Sequence, residues 1–161
     1  MSSRFLLRPF DDADRPALER LGRETVEDGT VYPFESVAGV LDYFLSPAGH
    51  VVVAERDGQV VGAYVVKPVQ PDRGSHVANA GYVVGEDARG RGLGQALGRH
   101  SIERARELGY RAMQFNFVVS TNAPAVRLWR RLGFEIVAEL PEAFRHPQLG
   151  FTSVFVMFRQ L

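Results

Sequence analysis

The 161-residue chain has no cysteine and no net charge, with Lys plus Arg and Asp plus Glu equal at 19 each. Without cysteine there are no disulfides, no thiolate metal sites and no cysteine nucleophile, and the redox compartment is left open. The charge balance excludes a general attraction to nucleic acid or to membrane surfaces, so any affinity for phosphate has to be built locally. No apolar run approaches the roughly 20 residues of a membrane span. Met1 to Phe10 carries Arg4 and Arg8 but no long apolar stretch, and reads as strand, not signal peptide; a cytoplasmic location is expected. The histidines form no spaced pair, and no metal is expected.

What is present suits one domain spanning residues 1–161. A hydrophobic content of 45% in a chain of this length builds one sizeable core with little left for a second. No internal repeat or low-complexity linker interrupts it. Phe5 to Phe10 reads as a strand, Asp11, Asp12 and Asp14 as cap candidates, and Arg15 to Glu27 as a helix. A short helix follows over Ser36 to Leu45. Val51 to Glu55 and Val60 to Lys67 read as strands joined by Asp57-Gly58, a strong hairpin signal. His76 to Val84 is a further strand, and Leu93, Leu97, Ser101, Ala105 and Leu108 form one helical face. Met113 to Val119 reads as strand and Ala123 to Leu132 as helix. Ile136 to Leu140 and Phe151 to Phe158 close the fold as strands, with Pro141 to Pro147 as the loop between them. The order predicts a mixed α/β fold with helices on both faces of one sheet.

Between the His76 strand and the Leu93 helix lies Arg89-Gly90-Arg91-Gly92-Leu93-Gly94. The first N–H groups of a helix lack intrahelical partners and carry the positive end of the macrodipole, and glycines let an anion approach them closely. The segment is therefore a candidate phosphate cradle. It is not a P-loop, because no Lys-Ser/Thr follows Gly94, and the third glycine of a dinucleotide fingerprint is missing at Gln95.

These residues resemble the acyl-CoA pyrophosphate loop, Arg/Gln-x-x-Gly-x-Gly/Ala, of the GCN5-related N-acetyltransferase (GNAT) superfamily. A second segment, Asn122-Ala123-Pro124-Ala125-Val126-Arg127-Leu128-Trp129-Arg130-Arg131-Leu132-Gly133-Phe134, resembles the superfamily's Asn-x-x-Ala-x-x-Leu-Tyr-x-x-x-Gly-Phe. Locally, Asn122 reads as a helix cap and Pro124 suits the first turn. The resemblance implies the GNAT fold, a mostly antiparallel sheet splayed at the cofactor site, and acetyl-CoA as cosubstrate. Backbone groups of Tyr82, Val83 and Val84 would hold pantetheine and the acetyl carbonyl, and amides from Arg89 to Gly94 the pyrophosphate, with Asn122 and Trp129 beside them. A fixed N–H stabilises an oxyanion more than a neutral carbonyl, which is the physical warrant for that placement.

The implied reaction is direct attack of an amine on the thioester. Relatives often carry tyrosine where this chain has Trp129, and an indole is no proton donor for a thiolate. Trp129 is expected to pack against pantetheine or substrate, with plain core filling as the alternative. The segment from Gln114 to Asn122, with Trp129 and Phe144-Arg145-His146-Pro147, resembles a fungal branch that acetylates proline analogues such as azetidine-2-carboxylate. There, strand asparagines position substrate or water, so Asn116 is the leading catalytic candidate, followed by Asn79 and Asn122. One bland reading competes for the first: Asn116 as a buried amide satisfied by backbone. His76 precedes the central strand that carries Asn79 and is a substrate-side candidate; His100 reads as surface or helix packing. Glu24, Glu27, Asp28 and Tyr32 flank the expected acceptor pocket, and Arg145 or His146 would suit an acceptor carboxylate. The bulky Tyr32, Phe34 and Phe144 favour a closed pocket over a peptide groove. The expected partner is a small-molecule amine, and the resemblance implies a homodimer. A protein N-acetyltransferase and a non-catalytic acyl-CoA sensor are the competing functions.

Overall fold

The computed structural model describes residues 4–161, so Met1 to Ser3 of the expected first strand stretch lie outside the described residues. The elements are β1 (Leu6–Pro9), α1 (Arg15–Asp28), α2 (Val37–Phe44), β2 (His50–Arg56), β3 (Gln59–Pro68), β4 (Val77–Val84), α3 (Leu93–Glu107), β5 (Ala112–Val119), α4 (Ala123–Arg131), β6 (Glu135–His146) and β7 (Gly150–Gln160). The seven strands form one sheet in the order β1-β2-β3-β4-β5-β7-β6, antiparallel except where β4 meets β5. This is the GNAT fold that the two motifs imply.

Alternation along the strands assigns the layers. On β2 and β3, Val53, Ala63 and Val65 pack with Leu18, Leu21, Val40 and Phe44 of α1 and α2. Their neighbours Val52, Ala54, Tyr64 and Val66 pack with Leu93, Leu97 and Ala105 of α3 and Trp129 of α4. Helices thus cover both faces. At the β2–β3 hairpin Asp57 and Gly58 both adopt positive φ, 52° and 78°, as a two-residue turn of that hand requires.

Three local expectations change. Asp11 caps a short 3₁₀ turn over Asp12–Asp14, accepting from Ala13 N, while the Asp14 carboxylate accepts from Asp11 N. Asp14 then stands at the N-cap of α1 without a side-chain cap bond, because Arg8 grips its carboxylate at 2.8 and 2.9 Å. The expected loop over Pro141 to Pro147 is strand as far as His146, leaving only Pro147 to Leu149 for the turn. A register irregularity between Leu140 and Phe144, with Glu142 at φ 52°, absorbs Pro141 in the ladder.

The feature that positions the site is how briefly β4 and β5 touch. They pair only at Val77 with Ala112 and Ala78 with Met113, and then diverge for the rest of their lengths. Among the described residues no helix is long and apolar enough to cross a membrane.

Candidate active site

The divergence of β4 from β5 opens a cavity of about 640 Å³ between residues 79–84 of β4 and 115–119 of β5. Gly90, Gly92, Leu93 and Gly94 line it on the α3 side; Asn122, Ala125, Leu128 and Trp129 line it from α4. Val31, Tyr32, Pro33, Phe34 and Tyr43 close the other side.

Backbone direction on β4 is fixed by the ladder. Gly85 N donates to Val61 O on β3 at 2.8 Å, whereas Tyr82 N donates to the Tyr32 hydroxyl at 2.8 Å. Peptide groups alternate in direction, so Tyr82 and Val84 turn theirs into the cleft and Gly81 and Val83 turn theirs to β3. Val83 therefore does not offer its backbone to the cleft, a correction to the expected trio: its N–H and C=O belong to the ladder, and its side chain is buried against α1 and α2.

At the cradle, Gly90 and Gly92 have φ of 72° and 81°, and a β-carbon at either would meet nothing within 4 Å. Both glycines are thus required by conformation, with open space before them. Gly92 is the N-cap of α3 and the helix has no side-chain cap, so the amides of its first turn face that space without a side-chain acceptor. Among backbone bonds, the first to reach back to the cap is Ala96 N to Gly92 O. Leu93 is buried beneath the loop and Arg91 is exposed. These groups fit a polyphosphate such as that of acyl-CoA. Arg89 pairs with Asp28 at 3.6 Å, and Glu24 accepts from Glu86 N at 3.1 Å, tying α1 to the loop. Burial pushes the Asp28 carboxyl up, but bonds from Thr30 and the charge of Arg89 outweigh it and hold it below its usual range.

The three asparagines have different environments. Asn79 is buried, accepts from the Tyr43 hydroxyl at 2.7 Å and donates to Gln114 O at 2.9 Å, so its amide bridges the two strands just where they part. Asn116 is exposed on the cavity wall, accepting only from Gln114 Nε2 at 2.8 Å; the alternative of a buried, backbone-satisfied amide does not hold. Asn122 caps α4 through a long 3.4 Å bond from Ala125 N and lines the cavity.

Trp129 fills the core and also borders the cavity. It is 8% exposed and centred 4.6 Å from both Tyr82 and Phe115. Tyr32 and Asp28 line the cavity; Glu27 is exposed and outside the lining. His76 is exposed at the paired end of β4, where its carbonyl accepts from Arg111 N, remote from the opening. Phe144 is buried with Val119 and Val154, which removes it from the acceptor wall. Arg145 lies outside the cavity lining and pairs with Glu35, before α2, at 2.8 Å, while His146 Nδ1 accepts from Gln148 N and Leu149 N in its own turn. His100 is exposed on α3, and its Nδ1 lies 2.7 Å from the Tyr64 hydroxyl. Among the described residues no cluster of three or more His, Cys, Asp or Glu could hold a metal.

Sequence reading missed Tyr43 and the carbonyl of Gln114. Tyr43 sits beside the apolar stripe of α2, and its ring lies against Gly81, where a β-carbon would stand 2.4 Å from Cε1. An aromatic residue with a polar tip flanking a helix stripe is the one signal that pointed there.

Residues 15–134 match the model of the acetyltransferase (GNAT) family. The chain is 34% identical over 102 residues to the N-acetyltransferase aca1 of Schizosaccharomyces pombe, covering 62% of this chain and 49% of aca1, so it spans about half the length of that relative. A fungal match is consistent with the branch that the Asn116 segment resembles. Among solved structures, a GCN5-related N-acetyltransferase from Kribbella flavida superposes with a TM-score of 0.92 at 39% identity, covering 98% of each chain. A ribosomal-protein-alanine N-acetyltransferase from Brucella melitensis superposes with a TM-score of 0.85 at 29% identity, covering 97% of this chain and 99% of that one.

Proposed function

The chain belongs to the acetyltransferase (GNAT) family, and on that premise we propose that it moves an acetyl group from acetyl-CoA to the amine of a small molecule, with amino acids and proline analogues among the acceptors. The observation that carries the reading is one continuous cleft with an anion cradle at one end and an inward-facing Tyr82 N–H at its middle. The single sheet with a hydrophobic layer on each face supports reading the chain as one catalytic domain.

Bound acetyl-CoA supplies a thioester carbonyl whose carbon takes the amine nitrogen as the C–S bond breaks, the amine's proton ending on the thiol. The chain's contribution is position and electrostatics. Amides of Gly92, Leu93 and Gly94 would hold the pyrophosphate, with Arg89 adding charge. Val84 offers its peptide group to pantetheine, and Tyr82 N–H stabilises an oxygen that gains negative charge. Asn116 holds the acceptor or a water at the cleft wall through an amide that can donate and accept but cannot act as a base.

A protein acceptor is the second reading, favoured by the likeness to the Brucella protein, whose name specifies a ribosomal-protein alanine. The rings of Tyr32, Phe34 and Tyr43, the first two stacked at 5.8 Å and the last two tilted at 5.5 Å, narrow the acceptor side and support the small molecule instead. Acetyl-CoA-dependent thiol release across amino acids, azetidine-2-carboxylate, polyamines and alanine-terminal peptides tests both. Release with free amines alone supports the proposal; release only with peptides replaces it by the second. Acetyl-CoA binding without release across all acceptors would favour a sensor.

A further inference from the structure

Among the described residues, Tyr82 is the β4 position whose N–H bonds to a side chain, and that partner comes from the segment lining the cavity. Tyr32, on the segment between α1 and α2, places its hydroxyl oxygen 2.8 Å from Tyr82 N. The ring is held by stacking on Phe34, with centroids 5.8 Å apart and planes 25° from parallel. Four residues earlier, Asp28 holds Arg89 of the cradle at 3.6 Å. The same short segment thus engages both a backbone donor and a cation that face the cleft.

A backbone N–H makes one good hydrogen bond at a time, so the Tyr32 oxygen and any ligand oxygen compete for it. An acyl carbonyl is a strong acceptor; the thiol of free CoA is a weak one and has no oxygen to offer at that position. Building on the acetyl-CoA reading above, we propose that the Tyr32 hydroxyl is an internal competitor for the acyl oxygen: it occupies the Tyr82 N–H in the unliganded protein and gives it up only to an acyl oxygen, which lowers the affinity for acetyl-CoA and leaves that for free CoA unchanged. Free CoA leaves the bond intact. Once the acetyl group has been passed on, the hydroxyl returns to the amide, so donor and product differ in affinity by less than they would if the amide stood open. Burial pushes the Tyr32 phenol up to about 12, so it stays a neutral hydroxyl throughout the neutral range. Tyr32 acts here as a positioning residue, narrowing the difference in affinity between the two forms of the coenzyme.

Isothermal titration of acetyl-CoA and of CoA into wild type and Tyr32→Phe tests this without turnover. Removing a competing hydrogen bond is expected to tighten acetyl-CoA about three- to tenfold while leaving CoA affinity unchanged. In the unliganded protein, exchange of the Tyr82 amide proton should be faster in Tyr32→Phe than in wild type. An unchanged ratio of the two affinities, equal changes in both, or weaker acetyl-CoA binding would overturn the role of Tyr32 alone. Wild type that binds neither coenzyme would remove the acetyltransferase reading itself, and this role with it.

Discussion

Asn79 Nδ2 donates to the carbonyl of Gln114 at 2.9 Å, one residue beyond the last paired positions of β4 and β5. The two strands part at Ala78 and Met113, and the next crossing is made by a side chain in place of the ladder. Asn79 then passes the connection to α2 through the Tyr43 hydroxyl, and Lys67 Nζ donates to Tyr43 O at 2.8 Å while lying 3.5 Å from its ring centre. The floor of the cleft is therefore a braced corner.

Asn79→Ala leaves Gln114 O and the Tyr43 hydroxyl without their partner. Unsatisfied buried groups cost about 1–3 kcal/mol each at most, so the melting temperature should fall by several degrees. Calorimetry checks it. A variant as stable as wild type would mean that water replaces the amide at no cost.

Asn116 has the opposite profile. It is exposed, and its side chain bonds only to Gln114 Nε2, so Asn116→Ala should fold with wild-type stability. Its kcat is expected to fall at least tenfold with little change in acetyl-CoA affinity, since the amide faces the acceptor side and not the cradle. Steady-state kinetics with an acceptor identified by the thiol-release assay decides it; an unchanged kcat removes Asn116 from the mechanism.

Gly92→Glu tests the cradle. The position has φ 81°, so a side chain costs about 1–2 kcal/mol of backbone strain, and the space ahead of it is open enough to admit the carboxylate. Binding of CoA should be lost while the circular dichroism of the sheet is retained. Undiminished affinity would move the pyrophosphate elsewhere.

Asp14 gives the expected acid dependence. Side-chain bonds from Arg8, aided by the backbone N–H of Asp11, hold its carboxyl below the usual 3.8 against the opposing effect of burial. A carboxyl depressed in the folded state contributes stability that is present above the unfolded pKa and is lost as pH falls through the folded one. Asp14→Asn should therefore cost stability near pH 7 and show a smaller deficit below about pH 4. Urea melts at several pH values measure this; a deficit independent of pH would assign the loss to packing and not to charge.

Much of this was legible in the order of residues. Hydrophobic period, Asp57-Gly58 and the glycines of the cradle are local signals, because a two-residue hairpin or an uncapped helix start makes conformational demands that only a few residue types meet. Element bounds agree closely wherever such signals stand at the ends. Where they did not, as at Pro141 to Pro147, a proline suggested a loop while the long partner β7 drew the chain into the sheet through a bulge. Phe144 and Arg145 were placed at the acceptor pocket on that loop reading, and the added strand turns the first into a small buried cluster and the second toward Glu35.

By itself, the sequence determined the strands and helices outside Pro141 to Pro147, that one sheet would be covered on both faces, and where a phosphate could meet free helix amides. Only the tertiary structure decided that Val83 faces β3 while Tyr82 faces the cleft, that Asn79 is a brace and Asn116 a free wall group, and that Tyr32 reaches the Tyr82 amide from 50 residues away. The reason is one of range. Periodicity and turn chemistry are set by neighbours in the chain, whereas the direction of a peptide group and the partner of a side chain depend on register and packing between segments that the sequence brings together only on folding.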